Sequence, residues 1–340
     1  MRLWFGNGAW ASQKAHQKVH DLTPEKIKNV AVIRHAALGD MVLTRPFLRE
    51  LRKCFPNSHI TLSVVTNYMR GIPEDLVDTV HVAYGKDKKK VSKREQIRKA
   101  KELGKQDIIF DLAATHRSFY LCLLNRSTLR VGFPYHRMQR KLFYDVAVFR
   151  SDFIFETDCM FNMLNIFGFV TSYPPPFDLP GDVRKEQKPY VVYFTSASTP
   201  LRCWPMENFS ELVDNASEKF PEFNHYVLKG IGDWESINDI LKNNEHNKNV
   251  SGLNIDSLDE TIALIKGASL VISNDTGIRH LAIAAGVPSV GIFFTAPKNT
   301  SMPFRYWPRF GPHSIVVNYD GSIPESHSVF EAVKKSLQPR

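Results

Sequence analysis

Between residues 27 and 133 the chain switches repeatedly between two patterns of apolar positions. Continuous apolar runs of strand length stand at 29–35, 59–65, 79–84, 107–112 and 129–133. Between them, apolar residues recur at helical spacing near 41–55, 92–104 and 116–125. Unbroken apolar runs read as strands buried on both faces, and the three-to-four spacing reads as helices with one apolar side. Their alternation predicts a mostly parallel sheet with helices on both faces. The pattern breaks at Tyr173-Pro174-Pro175-Pro176-Phe177 and Pro180-Gly181, where consecutive prolines remove backbone donors and fix φ. It then restarts, with strands expected at 190–195, 225–229, 270–273 and 289–294, and helices at 206–220, 233–242, 258–267 and 277–285. These runs predict an α/β protein of two Rossmann-like domains, 27–172 and 189–325, joined by a linker at 173–188. Residues 1–26 stand as an N-terminal extension and 326–340 as a closing helix centred on 326–337. Two such domains are expected to leave a ligand cleft between them.

Composition narrows the class. The chain has 340 residues, 43% hydrophobic and 23% charged, the balance of a soluble globular protein. No apolar stretch approaches the roughly 18 residues needed to span a bilayer. Leu3-Trp4-Phe5 is not followed by the continuous apolar region of a secretory signal. Cys54, Cys122, Cys159 and Cys203 form no C-x-x-C pair, so reduced thiols in a cytoplasmic protein are expected, with neither a disulfide frame nor a zinc site. The net charge of +9 is unevenly placed. Residues 1–180 carry 28 Lys and Arg against 17 Asp and Glu, and residues 181–340 carry 16 against 18. The basic excess, dense from Lys86 to Lys101, therefore belongs to the first half and suits a polyanionic partner or a solvated face.

The most informative stretch is Leu270-Val271-Ile272-Ser273-Asn274-Asp275-Thr276-Gly277-Ile278-Arg279-His280-Leu281-Ala282. A strand-length apolar run stops at small polar residues, and Thr276-Gly277 opens a helix. Such a junction presents unpaired backbone N–H groups and the positive end of a helix dipole, which together suit an anion such as a diphosphate. His280 follows Thr276 by four residues and shares its helix face. Asp275 repels phosphate, so sugar hydroxyls or Arg202 are its better partners. A second junction, Arg34-His35-Ala36-Ala37-Leu38-Gly39-Asp40, precedes a helix expected from Met41. Asp40 there reads either as a helix N-cap or as an ionised base close to a substrate hydroxyl.

The loop Ser198-Thr199-Pro200-Leu201-Arg202-Cys203-Trp204-Pro205 follows the first strand of the second half. Arg202 in that loop either contacts diphosphate oxygens with its planar fork or is a surface residue beside a packed Trp204. Gly230-Ile231-Gly232 lacks the third glycine of a dinucleotide fingerprint, because Glu235 stands there. A nicotinamide enzyme is thereby disfavoured, and Glu235 becomes a candidate for ribose hydroxyls.

The Leu38-Gly39-Asp40 turn, the Arg202-Cys203-Trp204-Pro205 segment and the Asp275–Ala282 element occur in the order seen in glycosyltransferase family nine, and the chain resembles that family from about residue 28 to 325. The resemblance implies a GT-B fold and inverting, metal-independent transfer of heptose from ADP-heptose to the lipopolysaccharide inner core, without a cofactor. It implies Asp40 as catalytic base. It also implies a donor site of Thr199, Arg202, Glu235, Asp275, Thr276, Gly277 and His280, and an acceptor side of His35, Gly39, His116 and Arg117. Arg202 departs from the lysine usual at that place, keeping the charge but changing its reach. The implied partners are ADP-heptose, a lipopolysaccharide core acceptor and an anionic membrane surface at the cytoplasmic face of the bacterial inner membrane, with no nucleic acid. Three rivals stand beside this reading: the same chemistry with another nucleotide sugar or a protein acceptor, a nucleotide-sugar epimerase, and a silent nucleotide-sugar-binding protein.

Overall fold

A computed structural model describes residues 2–4, 9–134, 142–230, 232, 235–295 and 302–338. The chain forms two compact units, residues 1–177 and 178–340. In the first, eight strands make one sheet: β1 (Arg2–Trp4), β2 (Ala9–Ala11), β3 (Asn29–Ile33), β4 (His59–Val65), β5 (Thr79–Ala83), β6 (Gln106–Asp111), β7 (Ser127–Gly132) and β8 (Val146–Val148). Their order is β1-β2-β8-β7-β6-β3-β4-β5. Strands β3 to β8 run parallel to their neighbours, while β2 pairs antiparallel with both β1 and β8.

The second unit holds β9 (Tyr190–Phe194), β10 (Asn224–Leu228), β11 (Val250–Leu253), β12 (Leu270–Asn274), β13 (Ser289–Phe293) and β14 (His313–Val317). They are parallel throughout, in the order β11-β10-β9-β12-β13-β14. This is the Rossmann order 3-2-1-4-5-6, and β3 to β8 repeat it in the first unit. The order reverses between β3 and β6 in one unit and between β9 and β12 in the other. Chain segments leaving those strand ends diverge to opposite faces and open a crevice at the carboxyl edge of each sheet.

The strands read from the pattern are present with their edges moved by one or two residues. The sequence missed β8, β11 and β14 and the helix Glu156–Asn165. Residues 1–26, which had no expected role, supply β1, β2 and the helix Gln13–Asp21, and β2 extends the sheet through Ala9 opposite Val148 and Ala11 opposite Val146. Three-residue strands are too short to show a period, so the pattern could not reveal them. The closing helix Ser326–Leu337 buries Val329 and Val333 in the cluster built on Trp204, Phe209 and Leu212, which makes it part of the second unit's core. Burying each such side chain contributes about 1.5–3 kcal/mol.

Three helix limits differ from expectation. The helix expected at 92–104 ends at Lys101, ahead of Gly104 at φ +73°, a conformation that favours glycine. The helix expected at 233–242 is Asn238–Asn243, because the Glu235 carboxylate turns back to accept the Gly232 N–H at 2.6 Å. The helix expected from Met41 begins at Leu38, with Ala37 as its N-cap.

Candidate active site

In the first unit, the segment leaving β3 carries Arg34 into the fold and Asp40 into the first turn of the helix Leu38–Cys54. Asp40 is not the N-cap. Ala37 occupies that place without a side-chain bond, and the Asp40 carboxylate instead meets Arg34, with Nη2 donating to Oδ1 at 2.8 Å. Arg34 is 2% exposed, whereas the Asp40 side chain is 30% exposed. Among the described residues Arg34 is the one hydrogen-bond partner of that carboxylate, so its other oxygen faces outward. Arg34 is held in turn by the Leu112 carbonyl at 2.8 Å and by Glu156 at 3.2 Å. Gly39 precedes Asp40 in the first turn of the helix Leu38–Cys54.

Across the switch point, the segment leaving β6 is shaped by Asp111. Its buried Oδ1 accepts the N–H groups of Ala113 and Ala114, each at 2.9 Å, and Oδ2 accepts the Tyr144 hydroxyl at 2.8 Å. Burial pushes the Asp111 carboxyl up from its ordinary range. The turn it holds places Ala114 at φ +49° and delivers the helix His116–Leu124, closed by a reciprocal Thr115–Ser118 capping box. His116 and Arg117 open that helix and are exposed. His35 is different. Both ring nitrogens are buried with no hydrogen-bond partner, and burial, with lesser contributions from His81 and Arg117, lowers its pKa to about 3. The ring is therefore neutral and offers a substrate no positive charge.

In the second unit, two segments meet at the β9–β12 switch point through Asn274, the last residue of β12. Its Oδ1 accepts the backbone N–H of Trp204 at 2.9 Å, and Nδ2 donates to the carbonyls of Thr195 at 2.7 Å and Ser196 at 3.3 Å. Trp204 is fully buried, and its indole N–H donates to the Pro324 carbonyl at 2.8 Å. These bonds fix the Thr195–Trp204 segment beside the start of the helix Gly277–Ala284. Thr199 and Arg202 lie on that segment and are exposed.

Thr276 caps this helix in extended conformation, and its Oγ1 is buried with no hydrogen-bond partner. The first N–H groups of the helix have no intrahelical acceptor, so the junction concentrates donors and the positive dipole end at one point. His280, buried on the same helix, lies 3.8 Å from the Asp275 carboxylate. Glu235, after β10, reaches the same sheet edge. A Cβ at Gly230 would collide with the Glu235 carboxylate and crowd the Ser196 hydroxyl, so the Glu235 side chain would have to move. The structure thus gathers Thr199, Arg202, Glu235, Asp275, Thr276, Gly277 and His280 along one sheet edge, and His35, Gly39, Asp40, His116 and Arg117 along the equivalent edge of the first unit.

Four residues that shape these edges were not singled out by sequence reasoning. Arg34 and Asn274 each stand at the end of an apolar strand, a position where a polar residue is a readable signal. Glu156 sits on a helix the pattern did not reveal. Arg279 is fully buried, donates to the Tyr306 carbonyl at 2.7 Å and stacks its guanidinium 5.2 Å from the Phe293 ring centre. Burial lowers its pKa to about 10, which still leaves it charged at neutral pH.

Residues 172–306 match the model of glycosyltransferase family 9 (heptosyltransferase). Lipopolysaccharide heptosyltransferase 3 of Escherichia coli is 23% identical over 296 residues, covering 79% of this chain and 86% of that protein. Lipopolysaccharide heptosyltransferase 1 of Campylobacter coli is 22% identical over 297 residues, covering 79% and 84%. Among solved structures, E. coli heptosyltransferase WaaC with ADP matches with a TM-score of 0.68 at 16% identity, over 90% of this chain and 97% of that one. A family 9 glycosyl transferase from Veillonella parvula matches with a TM-score of 0.66 at 20% identity, over 93% and 98%. The paired Rossmann-like units are those of the GT-B class. The family match spans the Thr195–Trp204 segment and the Asp275–His280 element, so this part of the chain is similar to glycosyltransferase family 9.

Proposed function

We propose that this glycosyltransferase moves a heptose from ADP-heptose to a hydroxyl of the lipopolysaccharide inner core, with inversion and without a metal ion. The observation that carries the reading is the donor-rich helix start at Thr276-Gly277, and the first unit by itself supplies a partly exposed carboxylate, Asp40, anchored through one oxygen at its own switch point. The lipopolysaccharide heptosyltransferases of E. coli and C. coli supply the substrate class.

The chemistry runs as follows. The outward oxygen of Asp40 accepts the proton of the acceptor hydroxyl as that oxygen bonds to the anomeric carbon of the donor. The bond from that carbon to the diphosphate breaks on the opposite face, so ADP leaves and the anomeric centre inverts. Positioned base catalysis of this kind is worth about 10²–10⁴-fold. The amides at Thr276 and Gly277, the Thr276 hydroxyl and Arg202 receive the diphosphate charge as it develops. Glu235 takes ribose hydroxyls, and Asp275, near His280, takes sugar hydroxyls. His116 and Arg117 serve the acceptor, together with Gly39 and a neutral His35.

Membrane contact belongs to the same reading. Among the described residues no helix is long and apolar enough to cross a membrane. The helices Lys93–Lys101 and His116–Leu124 pack together and expose Ile97, Tyr120 and Leu123. Part of the basic run is neutralised within its own helix, since Arg98 pairs with Glu95 at 2.6 Å and Lys99 with Glu102 at 2.6 Å. Lys86, Lys89, Lys90, Lys93 and Arg94 are exposed cations, and Lys93 and Arg94 lie one helical turn before Ile97. Cations and apolar groups on one face suit peripheral binding to an anionic cytoplasmic leaflet and access to a lipid-anchored acceptor. Acceptor-dependent release of ADP from ADP-heptose tests the proposal as a whole.

A further inference from the structure

Asp40 sits at one end of a chain of four alternating charges, most of it buried. Its Oδ1 accepts Arg34 Nη2 at 2.8 Å, and the same Nη2 donates to Glu156 Oε1 at 3.2 Å. Glu156 is fully buried and is held from its far side by Arg150, with Nε donating to Oε2 at 3.0 Å and Nη2 to Oε1 at 2.5 Å. The Arg150 side chain is 11% exposed, and its guanidinium lies 5.3 Å from the Phe133 ring centre. Two carboxylates and two guanidinium groups thus alternate along this chain of charges, so each buried charge has an opposite charge beside it.

The two carboxylates compete for one guanidinium. Arg34 is fixed at its other fork by the Leu112 carbonyl at 2.8 Å, so Nη2 alone is shared between Asp40 and Glu156. Without Arg150, the buried Glu156 would be the stronger claimant, because ion pairs gain most where water is excluded. Arg150 meets that demand by bonding both Glu156 oxygens, which leaves Arg34 available to Asp40. The strands and helices concerned are distant in sequence: Arg34 follows β3, Arg150 follows β8, and Glu156 opens the helix packed on Leu38–Cys54, where Thr157 Oγ1 donates to the Leu43 carbonyl at 3.1 Å. Asp40, on the helix Leu38–Cys54, is thus tied through Arg34 to the helix that packs against its own.

We propose that Arg34, Glu156 and Arg150 are positioning residues for Asp40, aiming its outward oxygen at the acceptor hydroxyl. The inference rests on Asp40 as the base in the proposed transfer, and it assigns roles that the donor side does not share. Misplacing a reacting group by about 1 Å can cost on the order of 100-fold in rate.

The test compares wild type with Arg34→Gln, Arg34→Lys, Glu156→Gln and Arg150→Met, in kinetics and in crystal structures of the full chain. Arg34→Gln and Arg150→Met are expected to lower kcat about 10–100-fold with the KM for ADP-heptose unchanged. Arg34→Lys is expected to recover part of the loss. The crystal structures are expected to show the Asp40 carboxylate displaced in Arg34→Gln, and Arg34 drawn onto Glu156 in Arg150→Met. Arg150, at the rim of the chain, guards against loss of folding in the other variants. Folded Arg34→Gln and Arg150→Met proteins that keep wild-type kcat and an unmoved Asp40 would overturn the proposal. A wild-type protein without acceptor-dependent ADP release would instead remove the proposed transfer, and the crystal structures would still decide whether the charge chain places Asp40.

Discussion

Asn274 accepts the backbone N–H of Trp204 through Oδ1 at 2.9 Å, across 70 residues of sequence. One side chain at the end of β12 thereby fixes the segment carrying Thr199 and Arg202 against the strand that leads to Thr276. Donor binding should depend on that tie as strongly as on the residues that touch the donor. Asn274→Ala removes three bonds to buried backbone groups and is expected to cost about 3–9 kcal/mol of stability, at 1–3 kcal/mol for each group left without a partner. Urea unfolding with ADP titration by calorimetry reads both effects. Asn274→Asp is the sharper case, because a carboxylate accepts from Trp204 but cannot donate to Thr195 and Ser196. An Asn274→Asp protein with wild-type ADP affinity would refute the tie.

Thr276 gives the opposite separation. Its Oγ1 is buried and has no hydrogen-bond partner among the described residues, so Thr276→Val removes a polar group that they do not use. Stability is expected to stay level or rise. If the hydroxyl bonds the diphosphate, ADP affinity should fall roughly 10–100-fold, the worth of a hydrogen bond to a charged group. Unchanged affinity would take the hydroxyl out of the donor site.

Stability should fall on mild acidification, and the sign follows from two buried histidines. Burial lowers His35 to about 3 and His313 to about 4 from an ordinary 6.5. Above 6.5 both states of the protein hold these rings neutral. As pH drops below 6.5 the unfolded chain takes up protons that the folded chain refuses, so folding weakens until pH reaches the folded values. Each ring contributes a slope of about 1.4 kcal/mol per pH unit in that window. His313 bonds Ser289 Oγ at 3.0 Å, and His313→Asn is expected to flatten the curve between pH 6.5 and 4 in urea melts. A variant curve parallel to wild type would contradict the assignment.

The exposed lysines make a separate prediction. Reversing Lys89, Lys90 and Lys93 to Glu should abolish sedimentation with vesicles containing anionic lipid, and raised salt should weaken binding of the wild type. Turnover of a soluble acceptor fragment should be unaffected. Binding that survives both charge reversal and salt would point to the apolar side chains alone.

Much of this architecture was written in the order of apolar runs. The alternation of continuous and helical-period segments fixed the sheet class, and the Asp275–His280 element was legible because a strand-to-helix junction must leave its donors open. What the pattern missed has a physical reason in each case. Strands β1, β2 and β8 have three residues each, too few to show a period. Glu156 meets Arg34 across 122 residues, a contact that the sheet order creates and nothing in its local sequence announces. Asp40 read locally as a helix cap, yet the helix starts three residues earlier with Ala37 at the cap, and Arg34 claims the carboxylate. Local propensity lost there to an ion pair made with the strand end.

The most direct measurement is release of ADP from ADP-heptose, with and without a heptose-deficient lipopolysaccharide core acceptor, in wild type and Asp40→Asn. The account predicts release that requires the acceptor and falls about 10²–10⁴-fold in the variant, while ADP binding persists. Release that ignores the acceptor, or an Asp40→Asn protein as active as wild type, would contradict it.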